Sequence, residues 1–204
     1  MHTSNFVQKP GRVYLAGPDV FLPDPLAAAA AKKELCTAYG FEGVFPLDAE
    51  LDLTGVGPHE AALRISRANE DLIRGCELVV AHVTPFRGPS ADVGTAYEMG
   101  FARALGKRVF AYTNVEVDFP TRTERFVQRV RERPTGERED ENGLQIEAFG
   151  LDDNLMLIGA IEDSGGALFR ATVPAGREFL DLEAFERCLS HARRVLATTL
   201  AQGS

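Results

Sequence analysis

The chain contains no tryptophan, only three cysteines and only four histidines. Cys36, Cys76 and Cys188 are odd in number and widely separated, which argues against a disulfide framework and against a CxxC metal site. The histidines show no spacing typical of metal ligands, so we expect no metal. His82 lies inside an apolar run, where a histidine is usually part of the core with its hydrogen bonds satisfied.

Basic residues and long apolar runs are also scarce. Lys and Arg number 22 against 30 Asp and Glu, and the net charge of −8 argues against nucleic acid or an anionic membrane as the main partner. No stretch approaches about 18 apolar residues, and the first ten residues lack the apolar segment of a signal peptide. We therefore expect a cytoplasmic protein that binds a small molecule, with one domain over residues 1–204.

Short apolar runs alternate with helical segments in the first half of the chain. Strands are predicted at 12–16, 41–45 and 77–83 and from 108 onward, and helices at 26–39, 59–74 and 93–105. This alternation predicts an α/β fold, a doubly wound parallel sheet of flavodoxin or Rossmann type with helices on both faces.

The second half of the chain is more charged. A charged helix is predicted at 122–133, and a mobile surface loop at 134–143, where apolar residues are too few to pack. An apolar helix follows at 153–161. A C-terminal helical extension at about 178–201 completes the predicted elements, so the core of the fold spans about 12–161.

The segment from residue 84 to residue 98 is the most informative, because a Gly/Pro loop after a buried strand leads into a helix with two acids. Ligands of open α/β sheets bind at the carboxyl ends of strands, so Phe86, Arg87, Asp92 and Glu98 are expected at a cleft. Asp92 suits the N-cap of the helix. The core face of that helix is predicted to comprise Val93, Tyr97, Gly100, Phe101 and Ala104.

Glu98 falls on the flank of this face, close to Gly94, where a half-buried carboxylate would lie beside space for a ligand. A solvated helix glutamate is the alternative for Glu98, and a simple helix cap is the alternative for Asp92. Asp71 is late in the preceding helix, two residues from Asn69, so the two cannot share a face. Most acids in such positions face solvent.

Several segments together resemble the nucleoside 2-deoxyribosyltransferase family. They cover about residues 12–161 and comprise Val13-Tyr-Leu-Ala-Gly-Pro18, Asn69-Glu-Asp-Leu72, Cys76-Glu-Leu-Val-Val-Ala81, Phe86-Arg-Gly88, Asp92-Val-Gly-Thr-Ala-Tyr-Glu-Met-Gly100, Gly106-Lys107 and Asp153-Asn-Leu-Met156. The Gly-Pro turn is weak evidence by itself, whereas Asp-Val-Gly followed by Glu-Met-Gly is fairly specific.

The resemblance implies transfer of 2-deoxyribose between purine or pyrimidine bases of 2′-deoxynucleosides, with no cofactor. Glu98 would attack C1′ as a carboxylate nucleophile, and Asp71 would protonate the leaving base as general acid. Such an acid needs a desolvated site or a nearby negative charge to keep its proton. Tyr14 would orient Glu98 by hydrogen bonding, and a buried strand aromatic is its structural alternative.

The resemblance also implies the substrate contacts. Asp92 would accept the sugar 5′-hydroxyl, and its charge would repel a 5′-phosphate. Gly17 would line the pocket, and Phe21 and Phe86 would stack on the base, although phenylalanine is more often part of the core. Two further residues, Asn154 and Met156, would enter the site of a neighbouring subunit, which makes a homo-oligomer part of the expectation.

Two other functions stay open at this stage. A hydrolase that uses the same nucleophile would cleave 2′-deoxynucleosides or their 5′-monophosphates. Ser90 and Arg87 are the residues that could bind such a phosphate. A non-catalytic nucleotide-sensing module is the other alternative, although it would need no pair of acids such as Asp71 and Glu98.

Overall fold

A computed structural model describes residues 11–127 and 129–202, with the backbone alone for 199–202. The first ten residues, for which no signal peptide is expected, lie outside the described part.

Five parallel strands form the central sheet, which confirms the predicted α/β fold. The strands are β1 (Gly11–Ala16), β2 (Phe41–Val44), β3 (Leu78–His82), β4 (Arg108–Thr113) and β7 (Leu168–Arg170), in the order β2-β1-β3-β4-β7. The edge strand β7 was not predicted. Because the winding direction reverses between β1 and β3, the carboxyl ends of these two strands form the crevice where ligands of such sheets bind.

Alternating side chains of the strands pack against helices on both faces of the sheet. One face, which includes Val13, Val80 and Phe110, is covered by α1 (Pro25–Ala38) and α6 (Glu183–Gln202). The other face is covered by α2 (Pro58–Arg74), α3 (Val93–Ala104) and α5 (Leu155–Asp163). Tyr14 points to this second face, the side on which α3 carries Glu98.

Two predictions for the second half of the chain are wrong. The charged helix is shorter than expected: α4 covers Phe119–Val127, and residue 128 lies outside the described part. The predicted mobile loop instead contributes to a hairpin of β5 (Val130–Glu132) and β6 (Arg138–Asp140). Backbone pairing and charged contacts stabilise this hairpin, among them the ion pair of Arg133 with Glu139, so it forms without an apolar core.

The C-terminal helix begins five residues later than predicted, at Glu183 rather than at 178. Asp181 accepts a hydrogen bond from the backbone N–H of Glu183, and the amide of Asn114 holds the preceding turn through two backbone carbonyls. The fully buried Phe185, Cys188 and Leu189 make α6 part of the core on its face of the sheet.

The predicted core face of α3 is wrong. Val93 is 85% exposed, Tyr97 is 56% exposed, and the helix instead buries Thr95, Met99 and Ala102. Met99 on this face is fully buried, between the smaller Thr95 and Ala102. The larger apolar residues border a groove of about 710 Å³ between α3 and α5. Glu98 still lies at the edge of the buried face, as a half-buried residue.

The cysteines behave as core thiols. All three are buried and free. His82 is buried with hydrogen-bond partners on both ring nitrogens, as expected of a core histidine. No helix in the described part of the chain is long and apolar enough to cross a membrane.

Candidate active site

A phenol and a carboxylate meet beside the switch point of the sheet. Tyr14 is a fully buried residue of β1, and its hydroxyl donates a 2.6 Å hydrogen bond to Oε1 of Glu98 on α3. This brings together the two residues for which the family resemblance implied the roles of nucleophile and orienting group. The bond holds one carboxylate oxygen, and no hydrogen bond from the described residues occupies Oε2, which can therefore face a ligand.

The environment of Glu98 perturbs its protonation. Burial raises its pKa from the ordinary 4.5 to about 7, and the negative charge of Asp92 adds to the increase, whereas the Tyr14 hydrogen bond opposes it. Burial and the adjacent Glu98 raise the pKa of Tyr14 as well, so the phenol keeps its proton and donates at neutral pH. A half-buried carboxylate whose pKa is raised to about 7 is typical of a functional site.

Replacing Tyr14 by Phe is expected to raise the pKa of Glu98 further. The variant loses a hydrogen bond that favours the charged carboxylate, and a bond of this kind corresponds to a pKa change of about 1. A carboxyl-detected NMR titration measures the change. Tyr97→Phe is the matched control, because Tyr97 also donates to a carboxylate, that of Glu70. An unaltered Glu98 titration in Tyr14→Phe contradicts the prediction.

Asp92 caps α3 and keeps one oxygen available. Its Oδ2 accepts hydrogen bonds from the N–H groups of Gly94 and Thr95, at 3.0 and 3.1 Å, and from the Thr95 hydroxyl at 3.5 Å. These three bonds from the described residues leave Oδ1 for a ligand. Position 94 suits glycine, because a Cβ there would lie 2.9 Å from Asp92 Oδ2. Asp92 therefore combines its structural capping role with a free acceptor.

Aromatic rings gather at the strand ends. The rings of Phe21 and Phe86 are stacked, with centroids 5.4 Å apart and planes 14° from parallel. The Arg87 guanidinium lies 5.0 and 4.6 Å from their centroids, and Phe179 packs edge-on against Phe86. Phe21 is 55% exposed, so it is a surface ring and not a core residue. Phe179 was missed because its segment was predicted to be helical.

A buried polar network supports the loop that follows β1. Asp19 forms an ion pair with Lys32 at 2.7 Å and lies 3.3 Å from Nδ1 of His82, whose Nε2 is 2.8 Å from the Thr84 hydroxyl. Gly17 packs against this network, since a Cβ there would lie 2.4 Å from Asp19 Oδ2. Sequence reasoning missed Asp19 and Lys32, because only their tertiary neighbours distinguish them from surface charges.

Asp71 does not approach the Tyr14–Glu98 pair through any hydrogen bond or ion pair among the described residues. Its side chain is 75% exposed, and it pairs with Nη1 of Arg74 at 2.8 Å. Burial within the single chain therefore does not supply the desolvation that a general acid would need here.

Asn154 is the N-cap residue of α5. Its Oδ1 accepts from the N–H of Met156 at 3.0 Å, and its Nδ2 donates to Glu147 at 2.9 Å. Met156 is 71% exposed on the same turn and borders the groove between α3 and α5. Both residues thus lie at a surface.

Two observations bear on other ligands. The Ser90 hydroxyl donates to the buried Asp153, and Arg87 lies over the aromatic rings, so both groups already have partners within the chain. The described residues contain no group of three or more His, Cys, Asp or Glu placed to hold a metal ion.

Comparisons with known proteins identify the family of the chain. The family model described as nucleoside 2-deoxyribosyltransferase matches residues 13–156. An uncharacterised protein of Schizosaccharomyces pombe is 31% identical in an alignment of 165 residues, and the match covers 76% of this chain and 78% of that protein. The structure of a 2-desoxiribosyltransferase from Leishmania mexicana has a TM-score of 0.58 and 29% identity, with 89% of this chain and 99% of that one covered.

A conserved protein from Enterococcus faecalis V583 shares the fold, with a TM-score of 0.53, 19% identity, and coverage of 89% of this chain and 98% of that one. The family match extends over most of the chain and includes Tyr14, Asp92 and Glu98. The chain therefore belongs to the nucleoside 2-deoxyribosyltransferase family, which indicates an enzyme.

Proposed function

We propose that the protein transfers 2-deoxyribose from one 2′-deoxynucleoside to a second nucleobase through a covalent intermediate on Glu98. The observation that carries the proposal is the bond between Tyr14 and Glu98, which holds a half-buried carboxylate of raised pKa at the switch point of the sheet. A carboxylate so placed can stabilise an oxocarbenium-like transition state and then bond to C1′.

In the first half-reaction, the free Oε2 of Glu98 forms a bond to C1′ as the bond between C1′ and the base nitrogen breaks. The bonding electrons leave with the base, which takes up a proton. In the second, a nitrogen of the acceptor base attacks C1′, loses its proton, and releases the Glu98 carboxylate. Only the ionised form of Glu98 is nucleophilic, so the fraction of enzyme with a competent nucleophile rises as pH increases toward and through about 7.

Asp71 is our candidate for the group that donates and recovers the proton. A single chain leaves this side chain 75% exposed beside Arg74. An acid that protonates a base at neutral pH needs a desolvated setting. We therefore propose that the enzyme works as a homo-oligomer in which a second copy covers Asp71, with Asn154 and Met156 contributing to the neighbour's site.

The free Oδ1 of Asp92 supports a nucleoside as substrate. A neutral 5′-hydroxyl can donate to this carboxylate oxygen, whereas a 5′-phosphate would meet a like charge. The hydroxyl of Ser90, which could otherwise bind a phosphate, donates instead to Asp153. Phe21 and Phe86 would supply an apolar wall for the base.

Product analysis tests the proposed reaction. The protein is incubated with 2′-deoxyinosine, with and without adenine, and bases and nucleosides are separated by chromatography. We expect 2′-deoxyadenosine to form only when adenine is present. Release of hypoxanthine alone, at a rate independent of adenine, would identify a hydrolase instead. Tight binding of the nucleoside without any product, also with a pyrimidine donor, would identify a binding module.

A further inference from the structure

A buried carboxylate lies outside the set of reacting groups. Asp153 is 1% exposed, and both of its oxygens are bonded. Oδ1 accepts from the Ser90 hydroxyl and from the N–H of Asn154, whereas Oδ2 accepts from the N–H of Ala91 at 3.0 Å and from Nη2 of Arg122 at 3.5 Å. Each oxygen therefore binds the loop before α3, through Ser90 or Ala91, to the segment before α5 in which Asp153 lies.

Arg122 reinforces the same junction from the side of α4. Its guanidinium donates to the backbone carbonyls of Pro89, Val117 and Asp152, with the bonds to Pro89 and Asp152 both at 2.7 Å. The segment 89–91 is thus held by Asp153 through the Ser90 hydroxyl and the Ala91 N–H, and by Arg122 through the Pro89 carbonyl. These contacts set where the loop enters α3.

Asp92 follows this loop immediately. Its Oδ2 is fixed by the first turn of α3, but the direction of Oδ1 depends on the backbone that delivers residue 92. A shift of the loop at Ser90 and Ala91 would move the free oxygen away from the sugar. Displacement of a positioned group by about 1 Å can reduce activity by about 10²-fold.

The burial of Asp153 is energetically unfavourable by itself. Burial raises its pKa, although Ser90, Asn154, Arg122 and Ala91 all act to lower it. Buried charges are tolerated where they are paired and hydrogen-bonded, as Asp153 is on both oxygens.

We propose that Asp153 is a positioning residue that, through Ser90 and with Arg122, holds the loop before Asp92 and so sets the recognition of the sugar 5′-hydroxyl. The inference rests on the proposed function, because it assigns Asp92 to that hydroxyl. It adds a residue that touches neither the substrate nor the reacting atoms.

The test compares two substrates, 2′-deoxyinosine and 2′,5′-dideoxyinosine, which lacks the 5′-hydroxyl. For the wild-type protein we expect kcat/KM to favour 2′-deoxyinosine by about tenfold or more, the effect of a hydrogen bond to a charged group. Ser90→Ala and Asp153→Asn should reduce this ratio toward the value for Asp92→Ala, mainly by raising KM for 2′-deoxyinosine. A purely structural loss lowers activity toward both substrates equally.

Two control variants separate positioning from folding. Ser90→Thr keeps the hydroxyl and should keep the ratio. Asp152→Asn replaces the adjacent acid, whose side chain forms an ion pair with Arg170 and takes no part in the Asp153 hydrogen bonds. This variant should also keep the substrate ratio. If Asp153→Asn does not fold, the Ser90→Ala and Ser90→Thr pair still decides the outcome.

An unchanged ratio in Ser90→Ala, or a wild-type protein with no preference for the 5′-hydroxyl, overturns the inference and leaves the proposed function standing. If the wild-type protein converts neither substrate, with or without adenine, the proposed function fails and the inference falls with it.

Discussion

Replacing Glu98 by Gln is expected to abolish deoxyribosyl transfer, with a loss on the order of 10³-fold or more. The amide keeps the shape of the side chain and can still accept the Tyr14 hydrogen bond, but it cannot form the ester to C1′. Steady-state formation of 2′-deoxyadenosine from 2′-deoxyinosine and adenine measures the loss. Glu60→Gln, at an exposed acid paired with Arg64 on α2, is the matched control and should retain activity.

The same substitution should stabilise the fold at neutral and alkaline pH. Ionising Glu98 costs up to about 3 kcal/mol more in the folded than in the unfolded protein, since its pKa is about 7 instead of 4.5. A raised folded-state pKa means that the wild type loses stability as pH rises from about 4.5 to about 7. Glu98→Gln should therefore match the wild type near pH 4.5 and exceed it by about 1–3 kcal/mol at pH 8.

Urea denaturation at the two pH values measures this difference. If the variant is inactive and more stable at pH 8, the result supports the interpretation that the Glu98 carboxylate serves the reaction and lowers the stability of the fold. Full activity in Glu98→Gln would exclude Glu98 as the nucleophile, whatever the stability result.

Replacing Lys32 by Met is expected to destabilise the protein by about 3–5 kcal/mol. Burial opposes the ionisation of Asp19, but Lys32 and His82 more than offset it and hold the pKa of Asp19 below its usual range. Without Lys32, the Asp19 carboxylate remains 1% exposed and loses its 2.7 Å ion pair. The midpoint of urea unfolding, at an unchanged slope, measures the effect.

The neighbouring lysine provides the control for this prediction. Lys33, also on α1, forms an ion pair with Asp48 at 2.6 Å, but the Lys33 side chain is 37% exposed. Lys33→Met should therefore cost no more than about 1 kcal/mol. The double variant Asp19→Asn with Lys32→Met should recover part of the stability lost in Lys32→Met. Equal effects of Lys32→Met and Lys33→Met would contradict the role assigned to the buried network.

Local patterns were sufficient where a property depends on neighbours in the chain. The apolar run at 77–83 predicts a strand buried on both faces, and Asp92 followed by a helical pattern predicts a capped helix, because both signals come from adjacent residues. Both are confirmed by β3 and α3. The flank position of Glu98 also follows from the helical repeat. Although the buried stripe of α3 differs from the predicted one, Glu98 borders it and remains half-buried.

The core face of α3 shows where the same reasoning fails. Its sequence has two apolar stripes, and the larger one, with Val93 and Tyr97, was predicted to be buried. The structure instead buries the stripe of Thr95, Met99 and Ala102 against the sheet. A periodicity does not tell which of two surfaces a helix meets, because that choice depends on the shape of the sheet beneath it.

The sequence by itself thus determined the alternation of strands and helices, the parallel sheet and the family, because periodicity and short motifs are local. The tertiary structure decided that Tyr14 meets Glu98, that Asp19 and Lys32 form a buried pair, and that Asp153 joins two loops. These contacts join residues that are 13 to 84 positions apart in the chain, and only the packing of several elements places their side chains together.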